Sequence, residues 1–143
     1  QVLWQCGKVY AEKYGNRTQG DIQVYPFLNR MDLAYAVADI IISRAGALSV
    51  SELCLVGKPV IFIPSPNVAE DHQTKNALSI SQENAAILLK EEDAAAQFEG
   101  ILDALIQDQV RQRELGAAIL ALAKPNATKE IVDEIEKLIQ AKV

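Results

Sequence analysis

The sequence predicts an α/β fold, a Rossmann-like parallel sheet with helices on both faces in three layers. Strand-like and helix-like segments alternate about five times with short connections, the pattern of parallel strands joined by helical crossovers. Ile40-Ile41-Ile42 and Val60-Ile61-Phe62-Ile63 are apolar, β-branched-rich runs, as in strands buried on both faces. The last third of the chain carries helical apolar spacing alone. With 143 residues, 50% of them hydrophobic, the chain has core enough for one globular domain.

In chain order, residues 2–6 read as a short buried strand and 7–14 as a helix closed by Gly15-Asn16. Residues 21–25 form a second strand, stopped by Pro26. Asn29 or Asp32 caps a short helix ending at Val37. The strand over 38–43 follows. Gly46 opens a helix that runs to Val56 and stops at Gly57, a natural C′ residue. Lys58-Pro59 leads into the strand over 60–63, which Pro64 and Pro66 end. Residues 65–70 are a loop, 71–82 a helix and 85–89 a last short strand. Helices over 92–107 and 109–123 precede Pro125. Asn126 or Thr128 then caps a final helix to about Lys142, with Ile131, Ile135, Leu138 and Ile139 on one face.

Composition removes several function classes. The net charge is −5, and no Lys/Arg-rich stripe offers a nucleic-acid footprint. No apolar run approaches the ~18 residues of a membrane span. The opening residues show no secretory pattern, so the two glycosylation sequons at Asn16 and Asn126 read as chance. Cys6 and Cys54 lie in apolar segments and read as small buried side chains in a reducing compartment. His72 is the only histidine, and no Cys or carboxylate stands at metal-ligand spacing from it. There is no Asp-x-Asp for a metal-bridged diphosphate, and neither a P-loop nor a G-x-S-x-G elbow. No cofactor is implied.

Ligands of open parallel sheets bind beyond the carboxyl ends of the strands. That rule selects the loops 26–29, 43–49 and 64–73 and the turn after Leu89; the first three carry unusual residues. Ser43-Arg44-Ala45-Gly46-Ala47-Leu48-Ser49 leaves a strand and enters a helix. Its small residues let a ligand reach the backbone, and the helix start offers N–H groups and partial positive charge to a diphosphate. Ser49-Val50-Ser51-Glu52 has two readings. It is a capping box with Ser49 at N-cap and Glu52 at N3, or Glu52 accepts from ribose hydroxyls. Asp71-His72-Gln73-x-x-Asn76 is a solvated first turn capped by Asp71, or a cluster that binds sugar hydroxyls. Phe27 either plugs the core or stacks on a base whose edge the Leu28 backbone reads. Trp4 and Tyr35 read as core.

Taken in order, Phe27-Leu28-x-x-Met31, Tyr35-Ala36-x-Ala38-Asp39, Ser43-Arg44-Ala45-Gly46-Ala47, Glu52, Gly57-Lys58-Pro59, Ile63-Pro64 and Asp71-His72-Gln73-x-x-Asn76-Ala77 resemble the C-terminal domain of the MurG glycosyltransferases. The resemblance runs from Trp4-Gln5-x-Gly7-Lys8 to the helix at Asn126. It implies the C-terminal half of a GT-B enzyme that moves GlcNAc from UDP-GlcNAc onto lipid I, giving lipid II for peptidoglycan. On this view residues 1–143 are the donor-binding domain and 108–143 its terminal helices. The N-terminal acceptor domain is absent, as is the first strand with its Gly-Gly-Ser loop. Phe27 would cover the uracil and the Leu28 backbone would read its edge. Gly46 belongs to the loop in which Ala47, Leu48 and Ser49 meet the diphosphate and sugar. Glu52 would hold the ribose, and His72, Gln73 and Asn76 the GlcNAc hydroxyls. Arg44 belongs to the motif without an assigned role beyond bracing the loop. No catalytic residue and no metal ligand is expected in this stretch.

The chain, which lacks an initiator Met, is therefore expected to be a piece of a longer enzyme, inactive alone. That enzyme would be cytoplasmic and peripheral on the inner face of the bacterial membrane, touching it mainly through the absent domain. An alternative is a separate UDP-GlcNAc-binding subunit of a two-chain transferase. A non-enzymatic signalling module ranks last, because Asp21, Asp32 and Asp39 do not form the acidic cluster it would need.

Overall fold

The structure is a computed structural model that describes residues 1–67 and 71–140. The loop over 65–70 and the end of the last helix thus fall partly outside the described residues, as does Glu70. Contacts group the chain into two compact units, Gln1–Ala38 and Asp39–Val143, and each is taken by itself.

In the first unit, β1 (Val2–Gln5) pairs in parallel with β2 (Ile22–Tyr25), Val2 opposite Ile22 and Gln5 opposite Tyr25. Gly7 turns the chain out of β1 at φ 82°, ψ 152°, a region that essentially only glycine enters. The helix predicted over 7–14 is reduced to one α-helical turn, α1 (Ala11–Tyr14), between 3₁₀ turns at Lys8–Tyr10 and Gly15–Arg17. Val9, Tyr10 and Tyr14 are weak helix formers, and so short a segment nucleates poorly. The reading of β1 as buried is corrected. Val2, Leu3 and Trp4 are 51%, 45% and 37% exposed, and of β1 and β2 only Val24 is buried. Trp4 is therefore not a core residue; its ring leans on that of Tyr14 with centroids 5.0 Å apart. Cys6 is only half-buried. α2 (Met31–Val37) opens at Arg30 without a side-chain cap. Neither Asn29 nor Asp32 takes that place; Asp32 lies inside the first turn and pairs with Arg30 at 2.6 Å.

The second unit holds a parallel ladder in the order β3 (Ile41–Ser43), β4 (Val60–Phe62), β5 (Ile87–Leu88). Among the described residues the hydrogen-bonded ladders are thus two, one per unit, where the alternation suggested one sheet. β4 is central, and Val60, Ile61 and Phe62 are each 0% exposed. Successive side chains of a strand point to opposite faces, so both faces of β4 are covered, as its sequence predicts. One covering layer is visible in the cluster of Ile61, Leu89, Leu105 and Leu115, against which Phe98, Ile101 and Leu102 pack. β3 departs from the reading: it is the ladder's edge, and Ile42 is 46% exposed.

Helices α3 (Ala47–Val56), α4 (His72–Gln82), α5 (Glu91–Gln107), α6 (Gln109–Ala121) and α7 (Ala127–Gln140) complete the unit. α3 ends as predicted: Gly57 is left-handed at φ 66° and its N–H returns to the Leu53 carbonyl. α7 begins one residue after Asn126, whose carbonyl accepts from the Glu130 N–H at 2.9 Å. Its apolar face is exposed, with Ile131, Ile135 and Leu138 at 60%, 50% and 66%.

The tightest approach joins α6 to the end of α3. A Cβ on Gly116 would lie 2.8 Å from the Gly57 carbonyl oxygen, a backbone atom that cannot rotate away. Gly116→Ala is therefore expected to destabilise the fold by about 1–3 kcal/mol, read by urea denaturation; an unchanged midpoint would mean that the two segments separate freely.

Candidate functional site

The carboxyl ends of β3, β4 and β5 share one rim because the three strands are parallel. The loop from β3 into α3 lies on that rim, and apart from the bond of Ser43 Oγ to the Arg44 carbonyl at 2.8 Å its side chains do little to hold it. Ala45 is buried, and Gly46 and Ala47 have no side chain beyond a methyl. Its neighbours hold it instead. Asn76, in the second turn of α4, donates through Nδ2 to the Ala45 carbonyl at 3.0 Å. Arg44 reaches across the rim: Nη1 donates to the Ile63 carbonyl beyond β4 at 3.0 Å and to Glu91 Oε2 at the start of α5 at 2.6 Å. The Arg44 guanidinium holds the Glu91 carboxyl below its ordinary range, mainly through that hydrogen bond. The pair is about half exposed, 51% and 43%, so its worth to overall stability is small.

The loop delivers the start of α3. Gly46 is the N-cap residue at φ −64°, ψ 147°, and the first intrahelical bond runs from the Val50 N–H to the Gly46 carbonyl at 2.9 Å. The amides of Ala47, Leu48 and Ser49 come before that bond, and none has a hydrogen-bond partner among the described residues. Ala47 and Leu48 are exposed and Ser49 is half-buried. Gly46 is not glycine for conformational reasons, since any residue adopts its φ. A Cβ there would meet only Ser49 Oγ, at 3.7 Å.

This geometry removes the capping box. Counting from Gly46, Ser49 is the third helical residue and Glu52 the sixth, so Ser49 is no N-cap. The S-x-x-E spacing lies inside the first two turns. Glu52 is exposed on the second turn of α3 and makes an interaction of its own.

The 64–73 loop keeps the same pattern of side chains serving the backbone. The Ser65 N–H donates to Gln73 Oε1 at 2.9 Å, which leaves Gln73 Nε2 uncommitted among the described residues. Asp71 occupies the N-cap position of α4, as predicted, but in a left-handed conformation at φ 54° and without a side-chain cap bond. His72 is exposed and engaged in an interaction of its own. No group of three or more His, Cys, Asp or Glu suited to a metal ion occurs among the described residues.

In the first unit Phe27 is 57% exposed, which rules out the core-plugging alternative. The Leu28 N–H, read as a reporter of a base edge, is already engaged in this structure: it donates to Gln5 Oε1 at 2.8 Å. Any base that uses this amide has to displace the Gln5 carboxamide.

Three residues of these networks were not singled out by sequence: Gln5, Ser65 and Glu91. Glu91 lies in the one rim turn that carried no unusual residue. The acidic run Glu91-Glu92-Asp93 looked like ordinary complement to a helix N-terminus.

Residues 1–137 match the glycosyltransferase family 28 C-terminal domain. The chain belongs to this family. Among curated relatives it is 54% identical over 143 residues to a protein of Christiangramia forsetii, covering 100% of this chain and 39% of that one. It is 56% identical over 142 residues to one of Flavobacterium psychrophilum, covering 99% and 39%. Both bear the name UDP-N-acetylglucosamine–N-acetylmuramyl-(pentapeptide) pyrophosphoryl-undecaprenol N-acetylglucosamine transferase. The crystal structure of Acinetobacter baumannii MurG superposes with a TM-score of 0.83 at 33% identity, over 95% of this chain and 41% of that one. The likeness covers the parallel sheets and helices of the family 28 C-terminal fold. The chain spans about two fifths of the length of the relatives it matches.

With Gly46 as N-cap, Ser49→Ala is expected to change stability by no more than about 0.5 kcal/mol. Thermal or urea unfolding checks it; a loss of about 1 kcal/mol, typical of a deleted N-cap, would put the helix start back at Ser49.

Proposed function

We propose that residues 1–143 are the donor-binding domain of a transferase that moves GlcNAc from UDP-GlcNAc onto the undecaprenyl-linked acceptor, lipid I, for peptidoglycan synthesis. The observation that carries this reading is the cluster of Ala47, Leu48 and Ser49 amides. Three donors at a helix start, uncommitted among the described residues, suit a diphosphate. The names and extent of the family relatives support the choice of donor and acceptor. In this reading the helices over 108–143 close the domain, and the acceptor and the membrane surface are handled by the rest of a longer protein at the inner face of the membrane.

The chemistry is an inverting displacement. The acceptor hydroxyl oxygen forms a bond to the anomeric carbon as the bond from that carbon to the diphosphate oxygen breaks. The electron pair leaves with UDP, and the hydroxyl proton goes to a base outside residues 1–143. What this chain supplies is stabilisation of the charge that grows on the leaving diphosphate. Fixed amides do this without reorganising during the step. Arg44 adds positive charge at the base of the same loop. Glu52, on the second turn, accepts from the ribose hydroxyls, since a carboxylate takes two vicinal donors at once. Gln73 Nε2 donates to a sugar hydroxyl while its Oε1 stays on Ser65. His72 and Asn76 flank that sugar, and Asn76 offers Oδ1 because Nδ2 is held by Ala45. In the first unit, taken by itself, Phe27 presents an exposed ring suited to stacking on a base, and the Leu28 amide meets a base edge only in place of Gln5.

Calorimetric titration of the protein with UDP is expected to give saturable binding, and the chain alone no turnover. No heat or chemical-shift response at millimolar UDP would dismiss the site. In the full-length protein, Glu52→Ala is expected to raise the KM for UDP-GlcNAc by roughly tenfold or more, the scale of a hydrogen bond to a charged group. Unchanged donor kinetics would remove Glu52 from the ribose.

A further inference from the structure

We propose that Glu91 is a positioning residue for the donor diphosphate, acting through Arg44 on the Ala47–Ser49 amides. The inference rests on the reading of that helix start as the diphosphate site.

The 43–49 loop joins the edge strand β3 to α3, and Gly46 stands as N-cap immediately before the three amides. Two residues of the loop are pinned from outside, Ala45 by Asn76 and Arg44 by the far side of the rim. Of the bonds Arg44 makes, one goes to a neutral carbonyl, Ile63, and one to the Glu91 carboxylate at 2.6 Å. The charged bond is the stronger kind. It is also the longer-range tie, because Glu91 follows β5 while Arg44 follows β3, so it spans the ladder from one edge to the other. With Glu91 removed, Arg44 keeps one neutral acceptor and the loop loses its anchor on α5. The amides then have to be ordered by the ligand, which weakens binding.

An ordinary explanation for Glu91 is interaction with the N-terminal dipole of α5. Glu92 and Asp93 share that first turn, but neither reaches Arg44; Glu92 pairs with Lys90 at 3.5 Å. Glu92 is therefore the internal control.

The test is UDP titration and donor kinetics on the full-length protein and its variants. Glu91→Ala is expected to weaken UDP binding and raise the donor KM about five- to tenfold, with kcat within about twofold. Glu91→Gln, which keeps an acceptor oxygen for Nη1, recovers most of the loss. Glu92→Ala binds as the unmodified protein does. Melting temperatures stay within about 2 °C across the set, as expected for a half-exposed pair. Adding Glu91→Ala to Arg44→Lys weakens binding no further than Arg44→Lys alone, because both act through one contact. Equal or tighter UDP binding by Glu91→Ala would overturn the proposal, tighter binding marking Glu91 as a competitor for Arg44. Equal losses in Glu91→Ala and Glu92→Ala would reduce Glu91 to the dipole. If the unmodified protein ignores millimolar UDP, the diphosphate site falls and this inference with it. If it binds UDP and Glu91→Ala binds equally well, the inference alone falls.

Discussion

The complete burial of β4 is the constraint from which the candidate site follows. Val60, Ile61 and Phe62 have no exposed surface, so both faces of the strand must be covered and both edges paired. Parallel partners on each side satisfy its backbone groups, with Ile41 opposite Val60 and Ile61 opposite Ile87. Parallel pairing requires every connection to cross back over the sheet, and therefore every strand to end at the same rim. A loop of small residues, a helix start and a second helix bearing polar side chains meet there because one strand cannot tolerate water.

At that rim the side chains that resemble ligand-binding groups also hold the backbone. Asn76 and Gln73 each use one end of a carboxamide for this, on Ala45 and Ser65, and keep the other end available. Carboxamides suit the double task, since each carries a donor and an acceptor group that can face different ways. Arg44 joins three chain segments through a single nitrogen. A substitution at any of these positions consequently alters loop order and ligand contact together. Donor affinity alone does not separate the two effects, and this is why a residue such as Glu91, whose carboxylate bonds to Arg44 rather than to the loop's backbone, is the more informative one.

Legibility in the sequence followed the distance over which a residue's partners lie. The run over 60–63 and the Gly57 stop are local signals, and β4 and the end of α3 formed as read. The S-x-x-E spacing at 49–52 is also local, but it fits more than one helix register. Gly46, read as opening the helix, is its N-cap, but it has no side chain to cap with, so the spacing also offered the first serine downstream as an alternative. β1 misled for a different reason. Val2-Leu3-Trp4 has the composition of a core strand, yet in a two-stranded ladder its side chains stay largely exposed. Glu91 was illegible because its partner is 47 residues away in sequence; no window of pattern spans that, and an acidic helix start already had an adequate explanation. The loop of small residues was found by topology, and the donors of Ala47–Ser49 lie where the rule for parallel sheets puts them.

The electrostatics of the rim bear on how an acidic chain, net −5, accommodates an anion. The local field matters more than the sum, because screening confines surface charges to roughly 10 Å. At the start of α3 the local donors are three neutral amides whose dipoles are fixed by the helix and do not titrate. The one cation of the loop, Arg44, is already paired with Glu91. A diphosphate bound there would therefore be met by oriented dipoles and a partly neutralised guanidinium. Such a site gains strength as charge concentrates on the leaving group, because its dipoles are already oriented when that charge arrives. On the proposed reading, pairing Arg44 with Glu91 therefore contributes mainly by fixing the loop that carries the amides, and the oriented dipoles supply most of the attraction for the diphosphate.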